Sequence, residues 1–418
     1  MKIGYACLVE GKKELAMRSC TLKNATEEKL REITEHNLTV LDRILDYNIE
    51  NGILLFRISS DLIPFASKKE VEFPWQRLYA NELQNLGEKA LKGGLRLSMH
   101  PGQYTVLNSP NPDVVERAVL DLEYHTEFLD LCGLKEDSKV ILHIGGIYGN
   151  KVEAKQRFVE NYNLLSPNIR KRLIIENDDK LYHVEDVLEI ANIAQIPVVF
   201  DALHHKVNPP AEEKKVTDWI RLCGETWKHF DGVPKIHYSQ QWIGNKAGSH
   251  SKTICLEEFM KFYQSVSTIP IDIMLEVKDK NLSAVKCILG TSRTGTIRQL
   301  EKEWANYKYT ILEHSPKHYQ EIRSLLKDKN SNPVHDFYRL VEEAMELEPA
   351  RGHVINAFQH VWGYFKEEAS EPEKVKFLKE LTKYELGEIG PDRVRRYLEK
   401  LLDHYPNTYL SQSYYFSI

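Results

Sequence analysis

The chain reads as a (β/α)8 barrel of the TIM type followed by a separate all-α domain, and three observations carry that reading. Between Lys2 and Leu289, eight apolar, β-rich runs alternate with eight segments of helical period. Beyond about Trp304 the alternation stops and only helical patterns follow. Several of the apolar runs end in a histidine or a carboxylate, at the end of the strand where such barrels build their sites. A doubly wound open sheet is the competing architecture, but it does not call for an equal ring of eight.

The strands are expected at Lys2–Leu8, Gly52–Ser59, Leu95–His100, Lys139–Gly145, Arg172–Glu176, Pro197–Asp201, Lys235–Ser239 and Ile271–Lys278. Helices are expected between them at Ala25–Ile49, Trp75–Leu91, Pro112–Leu131, Val152–Leu164, Val184–Ala194, Lys214–Lys228 and Leu256–Val266, closing with Leu282–Leu289. In the Pro112–Leu131 segment, Pro and Asp suit a first helical turn. The tail is expected to hold helices at His318–Lys327, Val334–Glu346, Gly352–Glu368, Glu373–Leu386 and Pro391–Tyr405. Pro333, Pro349, Pro372, Gly390 and Pro406 punctuate their junctions. The expected domains are therefore 1–295 and 305–418.

At 418 residues the chain exceeds one ordinary core. Its 42% hydrophobic and 28% charged composition is that of a globular protein in water. A net charge of −5 excludes a globally basic nucleic-acid binder, so such a partner needs a local cationic patch or bound metal. The six cysteines form no CxxC pair, which points to reduced thiols. With neither a signal-like start nor a membrane-length apolar run, the expected location is the cytoplasm, with no membrane partner.

The candidate site consists of His100, His143, Glu176, Asp201, His204, His237, His250 and Glu276, all at or just after strand ends. Singly, each is ordinarily a satisfied core residue or a helix cap. Together, imidazoles and carboxylates meeting at one barrel face are ligands for divalent transition ions. They exceed the three protein ligands that a catalytic zinc keeps, so two or three ions are expected, with Glu176 bridging. Such clusters suit phosphodiester hydrolysis. After His100, Pro101 and Gly102 turn the chain and present Gln103 and Tyr104, an amide and an aromatic suited to entering a base stack. Packing of Tyr104 under its own loop is the plainer alternative.

With these residues assembled, the barrel resembles the UV damage endonuclease family. The resemblance runs through Arg57-Ile-Ser-Ser-Asp-Leu-Ile-Pro64, His100-Pro-Gly-Gln-Tyr104, His143-Ile-Gly-Gly-Ile-Tyr-Gly-Asn-Lys151 and Glu176-Asn-Asp-Asp-Lys180. It continues through Phe200-Asp-Ala-Leu-His-His205 and Pro234-Lys-Ile-His237. It implies a TIM barrel related to endonuclease IV, holding a cluster of divalent ions, manganese first and zinc or magnesium as alternatives. The implied activity is nicking of damaged double-stranded DNA immediately 5′ to cyclobutane dimers and 6-4 photoproducts, and often at abasic sites, leaving a 3′-hydroxyl and a 5′-phosphate. No obligate protein partner is implied. By the same resemblance the eight residues above are the ligands, and Gln103 and Tyr104 probe the lesion. Tyr5 matches an aromatic near the DNA groove, and Lys235 a lysine beside the metals that can be carboxylated; Glu176 and Lys235 are the expected catalytic residues. One departure is Lys68, where family members often carry a histidine. A metal-dependent sugar isomerase of the xylose isomerase type and a non-catalytic damage sensor are the rival functions.

The tail resembles the YbgA-like helical domain of unknown function through Gly352-His-Val-Ile-Asn-Ala-Phe-Gln-His360, Gly363-Tyr-Phe365 and Tyr409-Leu-Ser-Gln-Ser-Tyr414. His353, Asn356 and His360 share one helix face and are expected to be buried and hydrogen-bonded.

Overall fold

Eight four-residue strands pair in sequence order and close on themselves: β1 (Ile3–Ala6), β2 (Leu55–Ile58), β3 (Arg96–Met99), β4 (Val140–His143), β5 (Leu173–Glu176), β6 (Val198–Asp201), β7 (Lys235–Tyr238) and β8 (Asp272–Leu275). All pairings are parallel, and β8 returns to β1 to complete the barrel. This is the expected TIM-type barrel. The structure is a computed structural model and describes residues 1–292, 297–329 and 331–417.

Helices return the chain between strands, and their sequence signals are local. Glu27–Glu50 starts at a Thr26 N-cap; Pro112–Leu131 starts at Asn111 with Pro in its first turn; Val184–Ala194 opens with a His183/Asp186 capping box. The expected Trp75–Leu91 helix is two pieces, Trp75–Leu78 and Ala80–Lys92. At Gly4, a Cβ would lie 1.7 Å from the carbonyl oxygen of Leu55, so only glycine lets β1 approach β2 this closely.

Residues paired across parallel strands point to the same side, and alternate residues line the lumen. Ala6, Leu55 and Met274 form one buried apolar cluster, and Ile141, Ile174 and Val199 another. Arg57, His143, Glu176, Asp201 and Glu276 each lie two positions further along these inward rows. The apolar layer is thus the floor of the mouth.

The chain divides into two compact units. One comprises Met1–Val9, Glu14–Ile254 and Lys261–Ile288; the other comprises Glu10–Lys13, Cys255–Met260 and Leu289–Ile418. The second is helical. Its helix Ile297–His314 runs through the gap left between the expected domains, with Leu300, Tyr307 and Ile311 buried at helical spacing. Helix Arg351–Trp362 buries Val354, Ala357, Phe358 and Val361, and its core includes a Trp362–Phe377 stack at 4.3 Å. It ends earlier than the expected Glu368. His353 and Asn356, on the flank beside that apolar stripe, are half-buried and His360 is exposed. The expected burial of all three is therefore corrected: the stripe at 354, 357, 358 and 361 takes the core-facing side.

Candidate metal centre at the barrel mouth

Register brings the site together. His143 is paired with Glu176 across β4 and β5, and Asp201 with His237 across β6 and β7. His100 and Glu276 follow the last residues of β3 and β8, and His204 lies in a short helix, Ala202–Val207, capped by the Asp201 carboxylate. His250 stands on the loop after β7, where it bridges to Gln241.

Glu176 is the hub. Its Oε1 lies 2.6 Å from His100 Nε2 and 3.1 Å from His143 Nε2, and its Oε2 lies 2.6 Å from His237 Nδ1. His237 Nδ1 is also 3.2 Å from Glu276 and 3.9 Å from Asp201. His204 reaches to 3.7 Å from Asp201, and His250 to 3.7 Å from Glu276. Two triads, His100–His143–Glu176 and Glu176–Asp201–His237, each bring their ligand atoms within 4.8 Å of one another. All eight expected residues therefore gather at the mouth, and Glu176 belongs to both triads.

Five candidate ligand atoms here are buried and make no well-aligned hydrogen bond: His143 Nδ1, Glu176 Oε2, Asp201 Oδ2, and both ring nitrogens of His237, whose Nδ1 nonetheless faces Glu176 Oε2 at 2.6 Å. His237 is 0% exposed. A buried imidazole ringed by three carboxylates, without a well-aligned hydrogen bond at either nitrogen, is costly unless a cation enters among them. The donor set of nitrogen and carboxylate oxygen fits divalent zinc, manganese or iron. Surrounding backbone atoms orient the candidate ligands. His100 Nδ1 lies 3.0 Å from the carbonyl of Pro101, and His204 Nδ1 lies 2.9 Å from that of Asn177. A carbonyl only accepts, so each Nδ1 carries the proton and each Nε2 is left as the donor atom.

The electrostatics match a site prepared for cations. Burial acts against the Glu176 carboxylate, but His143, His237 and His100 hold it well below the usual range. Glu276 is likewise held well down against burial, chiefly by Arg57 and His237. Burial pushes Asp201 up and His143 and His250 down. Burial also opposes the charged form of His204, yet Asp201, Glu176 and Glu276 outweigh it and push His204 up to about 9. Lys235, 2% exposed and two positions before His237, is driven well below the usual lysine range by burial and by Arg96 and Arg57.

Two of the three expected lesion-probing residues stand free. Gln103 is exposed and Tyr104 is 84% exposed, so Tyr104 does not pack under its loop. Tyr5 is a correction. It pairs with Phe56 and Leu275, on the outward row of the barrel wall, and is 0% exposed with its hydroxyl donating to Asn48 Oδ1 at 2.9 Å. Strand parity turns it away from the mouth. Lys68 is exposed.

Reading the sequence by strand ends missed Arg57 and Asn177. Arg57 ion-pairs with Glu276 in the mouth. A charged residue inside the apolar run Leu54-Leu-Phe-Arg-Ile58 was the available signal. Asn177 donates to the carbonyl of Asp201 at 3.0 Å and accepts from its N–H at 2.9 Å, fixing the backbone of that candidate ligand.

Known proteins resemble this chain in sequence and in fold. The profile described as UV-endonuclease UvdE matches residues 1–308, and a protein of unknown function, DUF1722, matches 308–418. A UV DNA damage endonuclease of Clostridium perfringens (strain 13 / Type A) is 36% identical over 425 residues, covering 100% of both chains. One from Bacillus cereus (strain Q1) is 36% identical over 268 residues, 64% of this chain and 84% of its own. The crystal structure of SacUVDE superposes with a TM-score of 0.65 at 39% identity, covering 69% of this chain and 96% of that one. Five orphaned ligand atoms around one shared carboxylate, on a barrel matched by this profile over most of its length, lead to one assignment: the chain belongs to the UV-endonuclease UvdE family.

Proposed function

We propose that this protein is a divalent-metal-dependent DNA repair endonuclease that nicks damaged duplex immediately 5′ to UV photoproducts, with abasic sites as a further substrate, leaving a 3′-hydroxyl and a 5′-phosphate. The observation that carries the metal dependence is His237, fully buried among the carboxylates of Glu176, Glu276 and Asp201, with neither nitrogen making a well-aligned hydrogen bond. His100, His143, Glu176, Asp201, His204, His237, His250 and Glu276 would hold two or three ions, with manganese the expected metal. Such ions supply charge to the phosphate oxygens and acidify water.

The chain's own groups do the rest. Glu176 joins the two triads and fixes their separation. Arg57 keeps Glu276 ionised and turned into the mouth. Lys235 is held toward its neutral form, the form whose amine can be carboxylated, which supports its role as a catalytic lysine. Gln103 and Tyr104, exposed on the loop after β3, can fill space left by a displaced lesion. Damaged duplex is cheaper to bend and unstack than intact duplex, which supplies selectivity.

The test is an end-labelled duplex carrying one thymine dimer, one abasic site or no damage, incubated with and without Mn²⁺. The expected result is a metal-dependent nick immediately 5′ to the dimer. Cutting at the abasic site alone would reduce the protein to an abasic-site endonuclease. Lesion binding without cutting would make it a sensor.

A further inference from the structure

Resting on the endonuclease reading, we infer that Ile243 is a second apolar contact to the damaged duplex, reaching it from the side of the mouth opposite Tyr104. In a closed ring of eight strands, β3 and β7 lie four places apart and so face each other across the barrel. Tyr104 stands on the loop after β3; Ile243 stands on the loop after β7. Ile243 is 93% exposed, the most exposed large apolar side chain among the described residues.

The loop that carries Ile243 is cross-braced. Gln241 and His250 form an antiparallel bridge, Trp242 N–H donates to Ser249 at 2.7 Å, and Ser251 N–H donates to Gln240 at 2.8 Å. Across the ribbon, the Gln241 side chain donates to the Lys246 carbonyl and accepts from Gly248 N–H, both at 2.9 Å. The turn after Ile243 uses Gly244 at φ +80°. An aliphatic side chain fixed in water on a cross-braced ribbon gains nothing for the fold. It is, however, preorganised for a ligand.

The ribbon's chemistry fits duplex DNA as that ligand. Lys246 and Lys252 are exposed on it, and the Lys252 ammonium sits over the Trp242 ring at 5.4 Å. Cations suit phosphates, while an aliphatic tip suits sugars and base edges in the minor groove or the gap at an unstacked step. One arm of the ribbon ends at His250, so a duplex touching Ile243 is registered against the candidate metal centre. Tyr104 and Ile243 would then grip the duplex on either side of the reacting phosphate.

The experiment compares full-length wild type, Ile243→Ser and Ile243→Val, loaded with Mn²⁺. Binding of a fluorescein-labelled thymine-dimer duplex is read by anisotropy, with nicking and metal content followed in parallel. Ile243→Ser should weaken binding about tenfold, as loss of one buried aliphatic contact would. Ile243→Val should stay within about twofold of wild type, and metal content should not change in either variant. Equal affinity of Ile243→Ser and wild type would overturn the inference. Wild type that binds the lesion but does not nick would overturn the endonuclease reading, while the Ile243→Ser comparison would still decide the contact. Failure of wild type to bind the duplex would overturn both.

Discussion

The two ends of the barrel both bury charge, and they treat it in opposite ways. At the end where the strands begin, Arg96 meets Asp272 at 3.1 Å and also donates to the carbonyls of Asp137 and Asp231. Asp272 accepts the Lys2 N–H through its other oxygen at 2.7 Å. Lys139 pairs with Asp231 and donates to the Lys171 carbonyl at 2.7 Å, and the second Asp231 oxygen accepts from Lys228 N–H at 2.8 Å. None of these four side chains has a buried polar atom without a hydrogen bond, whereas the mouth holds six, the five candidate ligand atoms and Arg57 Nε. Burying charge is tolerable where every lone pair and proton is met. An incomplete network is the mark of groups kept for something the fold does not supply.

That contrast makes two opposed predictions. Glu176→Gln should lower metal-dependent nicking by about a thousandfold or more, because it removes the carboxylate shared by both triads. Its metal-free thermal stability should fall less than that of Asp272→Ala, since Glu176 Oε2 closes no well-aligned hydrogen bond. Near-normal nicking would break the comparison at the mouth. Asp272→Ala should do the reverse. It strands the buried Arg96 guanidinium and should destabilise the chain by roughly 3 kcal/mol or more in denaturant titration, while molecules that remain folded keep their nicking rate. A neutral effect on stability would mean that the lower network is ornament.

A third buried charge sharpens the point. In the helical unit, Glu303 is buried and faces neutral partners, the hydroxyls of Tyr338 at 3.0 Å and Tyr414 at 3.5 Å. Burial pushes its carboxyl up to about 7 from an ordinary 4.5, the tyrosine hydroxyls only partly offsetting this. A carboxyl raised by folding contributes stability that is complete below 4.5 and is lost as pH rises to about 7. Calorimetry of the full chain should therefore show the helical unit losing up to roughly 3 kcal/mol between pH 4.5 and 8, and Glu303→Gln should flatten that slope. An unchanged slope in the variant would remove Glu303 as its cause.

The barrel and the ring of histidines and carboxylates at its mouth were legible in the sequence because a polar residue closing an apolar β-run is a sharp local event. Glu176 after Leu173-Ile-Ile175 and Asp201 after Val198-Val-Phe200 are the clearest cases. What escaped depends on parity and long-range pairing. Tyr5 carries no local sign that it faces outward to Asn48; only the register of β1 against β2 and β8 decides it. Arg57 finds Glu276 across 219 positions of chain, and Ile243 gains its interest from standing opposite Tyr104, a relation that exists only after the ring closes. The helix Ile297–His314 was missed because its apolar stripe begins before the point where the β/α alternation visibly ends.

The measurement that tests the central claim most directly is the number of metal ions per chain. Wild-type protein equilibrated with Mn²⁺, freed of excess and analysed by elemental mass spectrometry, should carry two or three ions, and Glu176→Gln should lose at least one. A folded wild-type chain that carries none, or a Glu176→Gln variant that keeps the full complement, would contradict the reading of the mouth as a metal centre built on one shared carboxylate.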